Sequence, residues 1–115
     1  MNFVHWDRTF RIPDGADIVI NATSIGLFPD VDARLDLDPG TFRPGMVVAD
    51  VIPNPPKTNL VKDASARQCK VIDGLGMLVN QGIIGVEYWT EATTGTRVCP
   101  EASVMRKALE DVFGA

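Results

Sequence analysis

The fold is decided by residues 17–23, which read DIVINAT and are β-branched and almost continuously apolar. A run of this kind is typical of a strand that is buried on both faces in a parallel sheet. Two similar stretches follow, MVVADVI at residues 46–52 and the shorter KVID at residues 70–73. Residues 3–6, FVHW, form a candidate fourth strand. The sequence therefore predicts a sheet of three to four strands.

Three helices are predicted between and after these strands. The first covers residues 58–68 with Thr58 as its N-cap, and its apolar side chains share one face. The second covers residues 77–91 and is apolar nearly all round, so we expect other elements to pack on more than one of its sides. The third begins with Pro100 at its first position and ends at Gly114. Alternation of strands with helices predicts an α/β fold with a parallel sheet and three flanking helices.

Composition limits the class of protein. The chain has 115 residues and a formal net charge of -4, which argues against a nucleic-acid binder. No apolar run is long enough to predict a membrane span. With one histidine and two cysteines, the chain predicts neither a His/Cys zinc site nor a disulfide. The N-terminal residues lack the pattern of a signal peptide, so we expect a cytoplasmic protein.

Each predicted strand ends in polar or glycine residues, at the edge where parallel sheets bind ligands. Asn21, Thr23 and Ser24 follow the first strand, and their side chains suit contacts to a ribose, a phosphate or an amide. The alternative is that they only tie down the loop, as Asx and Ser/Thr turns do.

The other two strand ends allow similar alternatives. Asp50 interrupts an apolar run, so it is either buried with hydrogen-bond partners or at a strand edge. Gly74 and Gly76 would let a flat ligand approach the backbone, or would simply form the turn into the next helix. Gln81 shares a helix face with Met77 and could donate to a ligand hydroxyl or make a hydrogen bond on the helix surface.

Taken together, these strand ends resemble the shikimate dehydrogenase family, including its quinate/shikimate dehydrogenase members. The matching strings are NATSIG at residues 21–26, DVIPNP at residues 50–55 and DGLGMLVNQ at residues 73–81, in the family's order. The resemblance implies a Rossmann-like fold. It also implies that residues 1–115 are a single partial domain, the C-terminal half of the family's NADP-binding domain plus its closing helices.

The family's reaction is hydride transfer between NADP(H) and 3-dehydroshikimate or shikimate. The resemblance implies six cofactor-binding residues, Asn21, Thr23, Ser24, Val51, Gly74 and Met77. Val51 and Met77 would pack against the nicotinamide, the Gly74 backbone would bond its carboxamide, and Gln81 would reach a substrate hydroxyl. No catalytic residue is assigned, since the family's proton-transfer Lys and Asp belong to its other domain.

Two departures from the family pattern limit these expectations. The glycine-rich loop that holds the cofactor pyrophosphate is absent, and Pro53 stands where the family commonly has a substrate-contacting Tyr. We therefore expect no turnover by this chain alone and leave the substrate open. The alternative is a non-catalytic α/β module that self-associates or binds a partner. An unpaired strand edge at residues 18–22 predicts a homo-oligomer.

Overall fold

The computed structural model describes residues 1–114, which form three strands, three α-helices and one turn of 3₁₀ helix. In chain order these are β1 (Ile18–Asn21), the 3₁₀ turn (Pro39–Thr41), β2 (Val47–Asp50), α1 (Asn59–Ala66), β3 (Lys70–Ile72), α2 (Gly74–Thr94) and α3 (Ala102–Phe113). The sheet has the order β1-β2-β3 and all its strands are parallel. The predicted α/β fold with a parallel sheet and three helices is confirmed.

The candidate strand at residues 3–6 is not part of the sheet. This segment is irregular, and the indole of Trp6 donates a hydrogen bond to the carbonyl oxygen of Asp36 at 3.0 Å. The Trp6 ring also lies 5.4 Å from the ring of Phe10. The N-terminal segment therefore packs on the loop before the 3₁₀ turn instead of adding a strand.

One face of the sheet is covered by α1. The register places Val19, Val48 and Val71 in one row, and Val48 is fully buried. The core on this side consists of Ile12, Phe42, Met46, Val48, Leu60, Ala64 and Cys69. Helix α1 starts as predicted, because Thr58 Oγ1 accepts a hydrogen bond from the backbone N–H of Val61. It ends two residues before the predicted position.

The opposite face of the sheet is open. Ile18 and Ile20 of β1 are 62% and 63% exposed, and Ile72 of β3 is 50% exposed. The prediction that these strands are buried on both faces is therefore wrong for the described residues. The reason is that α2 and α3 pack mainly against each other, whereas α1 packs on β2 and β3 from the other face.

The bounds of the last two helices differ from the prediction. Helix α2 begins three residues earlier than predicted, with Asp73 as N-cap. It ends at Thr94, and its C-cap is Gly95, whose φ of 74° is left-handed. Helix α3 begins after Glu101, so Pro100 precedes the helix instead of opening it. In the middle of α2, a Cβ on Gly82 would lie 3.1 Å from Met105 Cε of α3, so the two helices approach closely at this glycine.

Within residues 1–114, none of the helices has the length and apolarity needed to cross a membrane.

Candidate functional site

The candidate site lies at the carboxyl edge of the sheet. Because the three strands are parallel, β1 ends at Asn21, β2 at Asp50 and β3 at Ile72 on the same edge. Helix α2 starts there too, directly after β3. The fold therefore brings the three predicted strand ends together.

A buried hydrogen-bond network joins the first two strand ends to α1. The carboxylate of Asp50, 2% exposed, accepts from Asn21 Nδ2 at 3.2 Å and from Thr58 Oγ1 at 2.7 Å. It also accepts from the backbone N–H of Ile52 at 3.0 Å. Three donors compensate a buried carboxylate for much of its lost hydration. Of the two alternatives for Asp50, the structure shows burial with partners.

The other end of the Asn21 side chain shapes the loop after β1. Asn21 Oδ1 accepts from the backbone N–H of Thr23 at 3.0 Å and from Thr23 Oγ1 at 2.7 Å. Thr23 Oγ1 in turn accepts from the backbone N–H of Ile25 at 3.2 Å. These are Asx and Ser/Thr turns. Asn21 is thus buried and bonded within the protein at both side-chain ends, whereas Thr23 and Ser24 are exposed.

The third strand end packs on the second through Gly74. A Cβ at this position would lie 2.2 Å from the carbonyl oxygen of Ile52 and 2.7 Å from the nitrogen of Pro53. No side chain fits there, so the glycine lets the first turn of α2 rest against the backbone after β2. Beside this contact, Val51 is half-buried, and Met77 in the same turn of α2 is 50% exposed.

The N-terminus of α2 is capped by a carboxylate that also binds α3. Asp73 Oδ1 accepts from the backbone N–H of Gly76 at 3.1 Å. Arg106 of α3 donates to the same carboxylate through Nη2 at 2.5 Å and Nη1 at 3.2 Å. The Arg106 hydrogen bond lowers the pKa of Asp73 below its ordinary value, and Asp73 raises the pKa of Arg106.

Sequence reasoning missed both members of this pair. An Asp three residues before Gly76 is an N-cap signal, so the capping role of Asp73 could have been found. The pairing with Arg106 crosses 33 positions and has no local signature.

Gln81 lies on the exposed surface of α2, one turn after Met77. Its Nε2 donates to the carbonyl oxygen of Leu78 at 3.0 Å, a bond within the same helix. The amide is therefore accessible, with one of its two N–H groups engaged.

The seven predicted site residues offer a ligand hydroxyl, apolar and amide groups. The set offers exposed hydroxyls at Thr23 and Ser24, apolar surface at Val51 and Met77, and an uncharged amide at Gln81. None of the seven predicted site residues is basic. Such groups can contact a ring, an amide or a hydroxyl, but they supply no positive charge for a phosphate.

No family model matches the chain. It is 42% identical over 98 residues to the NADP(+) shikimate dehydrogenase of Methanocaldococcus jannaschii, an alignment that covers 85% of this chain and 33% of that protein.

Two solved structures are similar in fold as well as sequence. A ligand-free 5-ketofructose reductase of Gluconobacter sp. strain CHM43 matches with a TM-score of 0.79 and 50% identity, over 94% of this chain and 36% of that one. A shikimate dehydrogenase in complex with NADP+ matches with a TM-score of 0.77 and 42% identity, over 87% and 33%. The chain spans about a third of the length of the curated relatives it matches. Over that span, its resemblance to the shikimate dehydrogenase family and to the family's Rossmann-like fold is confirmed.

Proposed function

We propose that this chain is the nicotinamide-binding part of an NADP-dependent oxidoreductase of the shikimate dehydrogenase type. The observation that carries the proposal is the meeting of the three family-like strings at one edge of the sheet. Asn21 bonds Asp50 across β1 and β2, and Gly74 rests on Ile52, so the three strand ends form one surface. Residues 1–115 would then be a single partial domain, the C-terminal half of the NADP-binding domain with its closing helices.

NADPH, when bound, supplies the hydride for carbonyl reduction. In this proposal Thr23 and Ser24 contact the cofactor from the loop after β1, and Val51 and Met77 pack against the nicotinamide. The Gly74 backbone bonds the carboxamide. Asn21 serves the same surface by holding the loop, since its side chain is bonded to Asp50 and Thr23.

The substrate class we propose is a small polyhydroxylated carbonyl compound, recognised in part by the Gln81 amide. The family reaction is the interconversion of 3-dehydroshikimate and shikimate. Two observations widen the class beyond that pair. Pro53 replaces a tyrosine that is common in the family. The 50% identity to a 5-ketofructose reductase also exceeds the 38–47% identity to the curated shikimate dehydrogenases.

We propose further that the chain does not turn over substrate by itself. No residue of the chain can be assigned to the family's proton-transfer Lys and Asp, and the sequence contains no glycine-rich loop for the pyrophosphate. A cytoplasmic location stays a prediction of the sequence.

A second candidate function, a module that self-associates, is favoured by the free edge of β1. The carbonyl oxygens of Asp17 and Asn21 accept hydrogen bonds from the backbone N–H groups of Val47 and Val51, so the backbone groups of Ile18 and Ile20 point the other way. Unpaired strand edges invite pairing with another chain. Light scattering should give a dimer or larger mass, and a monomer at working concentration would remove this candidate.

The proposed function is tested by titrating the ¹⁵N-labelled chain, first with NADPH and then with shikimate or 5-ketofructose. NADPH should move the backbone amides of residues 23–24, 51 and 74–77. The polyol that belongs to the site should move the side-chain amide of Gln81, whereas Asn80, exposed on the same helix, is the matched control. Shifts confined to other parts of the chain, or none at millimolar NADPH, would contradict the proposal. Turnover of shikimate with NADP+ would contradict the expected inactivity.

A further inference from the structure

Helix α3 lies outside the three family-like strings, yet one of its side chains reaches the candidate site. We propose that Arg106 is a positioning residue, which acts through Asp73 to hold the first turn of α2 in place. That turn carries Gly74 and Met77. This inference rests on the proposed function in one respect only, namely that the first turn of α2 contacts the cofactor.

The geometry gives the Asp73 carboxylate two tasks at once. Its Oδ1 caps α2 at the N–H of Gly76, while both oxygens accept from the guanidinium of Arg106. A paired contact of this kind fixes the plane of a carboxylate as well as its position. The orientation of the cap is therefore set by α3 and not by α2 alone.

Arg106 is itself held in place by a second carboxylate, that of Glu110. Its Nε donates to Glu110 Oε1 at 2.8 Å, one helical turn further along α3. Asp73 and Glu110 are the charged partners of Arg106 in the described residues, and the side chains of Asp73 and Arg106 are 24% and 39% exposed. A partly shielded, doubly anchored guanidinium has less freedom than an ordinary surface arginine, which suits it to orient the cap.

The contrast with α1 shows what is particular about this cap. Thr58 caps α1 and is held by buried Asp50, without any cation from another helix. Helix α2 instead depends on a residue 33 positions away. A change in α3 should therefore be felt at the first turn of α2 and not at α1.

Hydrogen exchange of individual amides tests this. Arg106→Gln should accelerate exchange of the Gly76 and Met77 amides by about fivefold or more, while amides of α1 and β2 stay unchanged. Arg106→Lys keeps the charge without the two-pronged geometry and should fall between. The matched control is Lys107→Gln, which removes the neighbouring exposed pair with Asp111 and should leave the turn unchanged.

Equal exchange of the α2 turn in Arg106→Gln and Lys107→Gln would overturn the proposal. Uniform acceleration in all elements would also overturn it, because it indicates a general structural role. If Arg106→Gln does not fold, Arg106→Lys decides by the same comparison. The amide readout needs no cofactor, so absence of NADPH binding by the unmodified chain would contradict the proposed function and leave this inference standing.

Discussion

Two regions of the molecule differ in how completely their apolar and polar groups are buried against partners. The closed region comprises β2 and what packs on it, including Val48, Asp50 and Gly74, all of them buried. The open region comprises the uncovered sheet face at Ile18, Ile20 and Ile72 together with the outer surface of α2. Both regions come from equally apolar stretches of sequence.

The difference shows that a hydrophobic pattern specifies which side chains are suited to burial. It does not specify whether other residues of this chain pack against them. In the closed region Asn21, Asp50 and Thr58 are hydrogen-bonded to one another, and Gly74 packs directly on the backbone at Ile52. In the open region the side chains of Ile18 and Ile20 of β1 are exposed to solvent. The candidate site lies where the closed region ends, at the carboxyl edge of the sheet.

The largest expected effect separates two glycines of the same helix. Gly74→Ala would push a Cβ to 2.2 Å from the Ile52 carbonyl, and because the obstacle is backbone we expect a loss of about 3 kcal/mol or more. Gly85→Ala, with nothing within 4 Å, should instead gain about 0.5–1 kcal/mol from helix propensity. Urea unfolding of both variants measures this. A Gly74→Ala variant as stable as the parent would show that α2 does not close on β2.

A second pair compares the two faces of the sheet. Val48→Ala removes a fully buried side chain and should cost about 2–3 kcal/mol. Ile20→Ala, 63% exposed, should cost less than about 1 kcal/mol. Chemical unfolding at two protein concentrations provides the measurement. If both variants lost the same stability, and the loss for Ile20→Ala grew with protein concentration, a second copy of the chain would be covering the open face. The comparison between the two faces would then fail.

A third pair compares two aspartates. Asp50→Asn replaces an oxygen that accepts hydrogen bonds by an NH₂ group that faces a donor, so we expect a loss of about 2 kcal/mol. Asp111→Asn, on the exposed side of α3, should change stability by no more than about 0.5 kcal/mol. Thermal unfolding distinguishes them. Similar values for both would mean that the Asp50 network does not hold the strand ends.

The smallest expected effect is the pH dependence at Asp73. Arg106 holds the pKa of Asp73 below its ordinary value of 3.8. The stabilisation is therefore fully present above that value and is lost as the pH falls through the lower folded pKa. Between pH 5 and strongly acidic pH, the parent should lose about 0.5–1 kcal/mol more than Arg106→Gln, after discounting for solvent exposure. Parallel pH profiles of unfolding free energy would argue against the pair.

Local chemistry explains what could be predicted from the sequence. The apolar run around Val48, the cap at Thr58 and the clustering of strand ends follow from rules that act over a few residues or from parallel strand geometry. The exposure of Ile20 could not be predicted, because a β-branched run looks the same whether or not something covers it. The pair of Asp73 and Arg106 depends on how two distant helices pack, which no local pattern encodes.

We propose that this chain holds the nicotinamide half of the cofactor site without a loop that binds the pyrophosphate. The most direct measurement compares the dissociation constants of NADPH and reduced nicotinamide mononucleotide, followed by the amide shifts of residues 74–77. We expect weak binding of both, with dissociation constants within about a factor of three, because the sequence has no glycine-rich loop leading into a helix N-terminus that would hold the pyrophosphate. NADPH binding about 100-fold tighter, or shifts that avoid these residues, would contradict it.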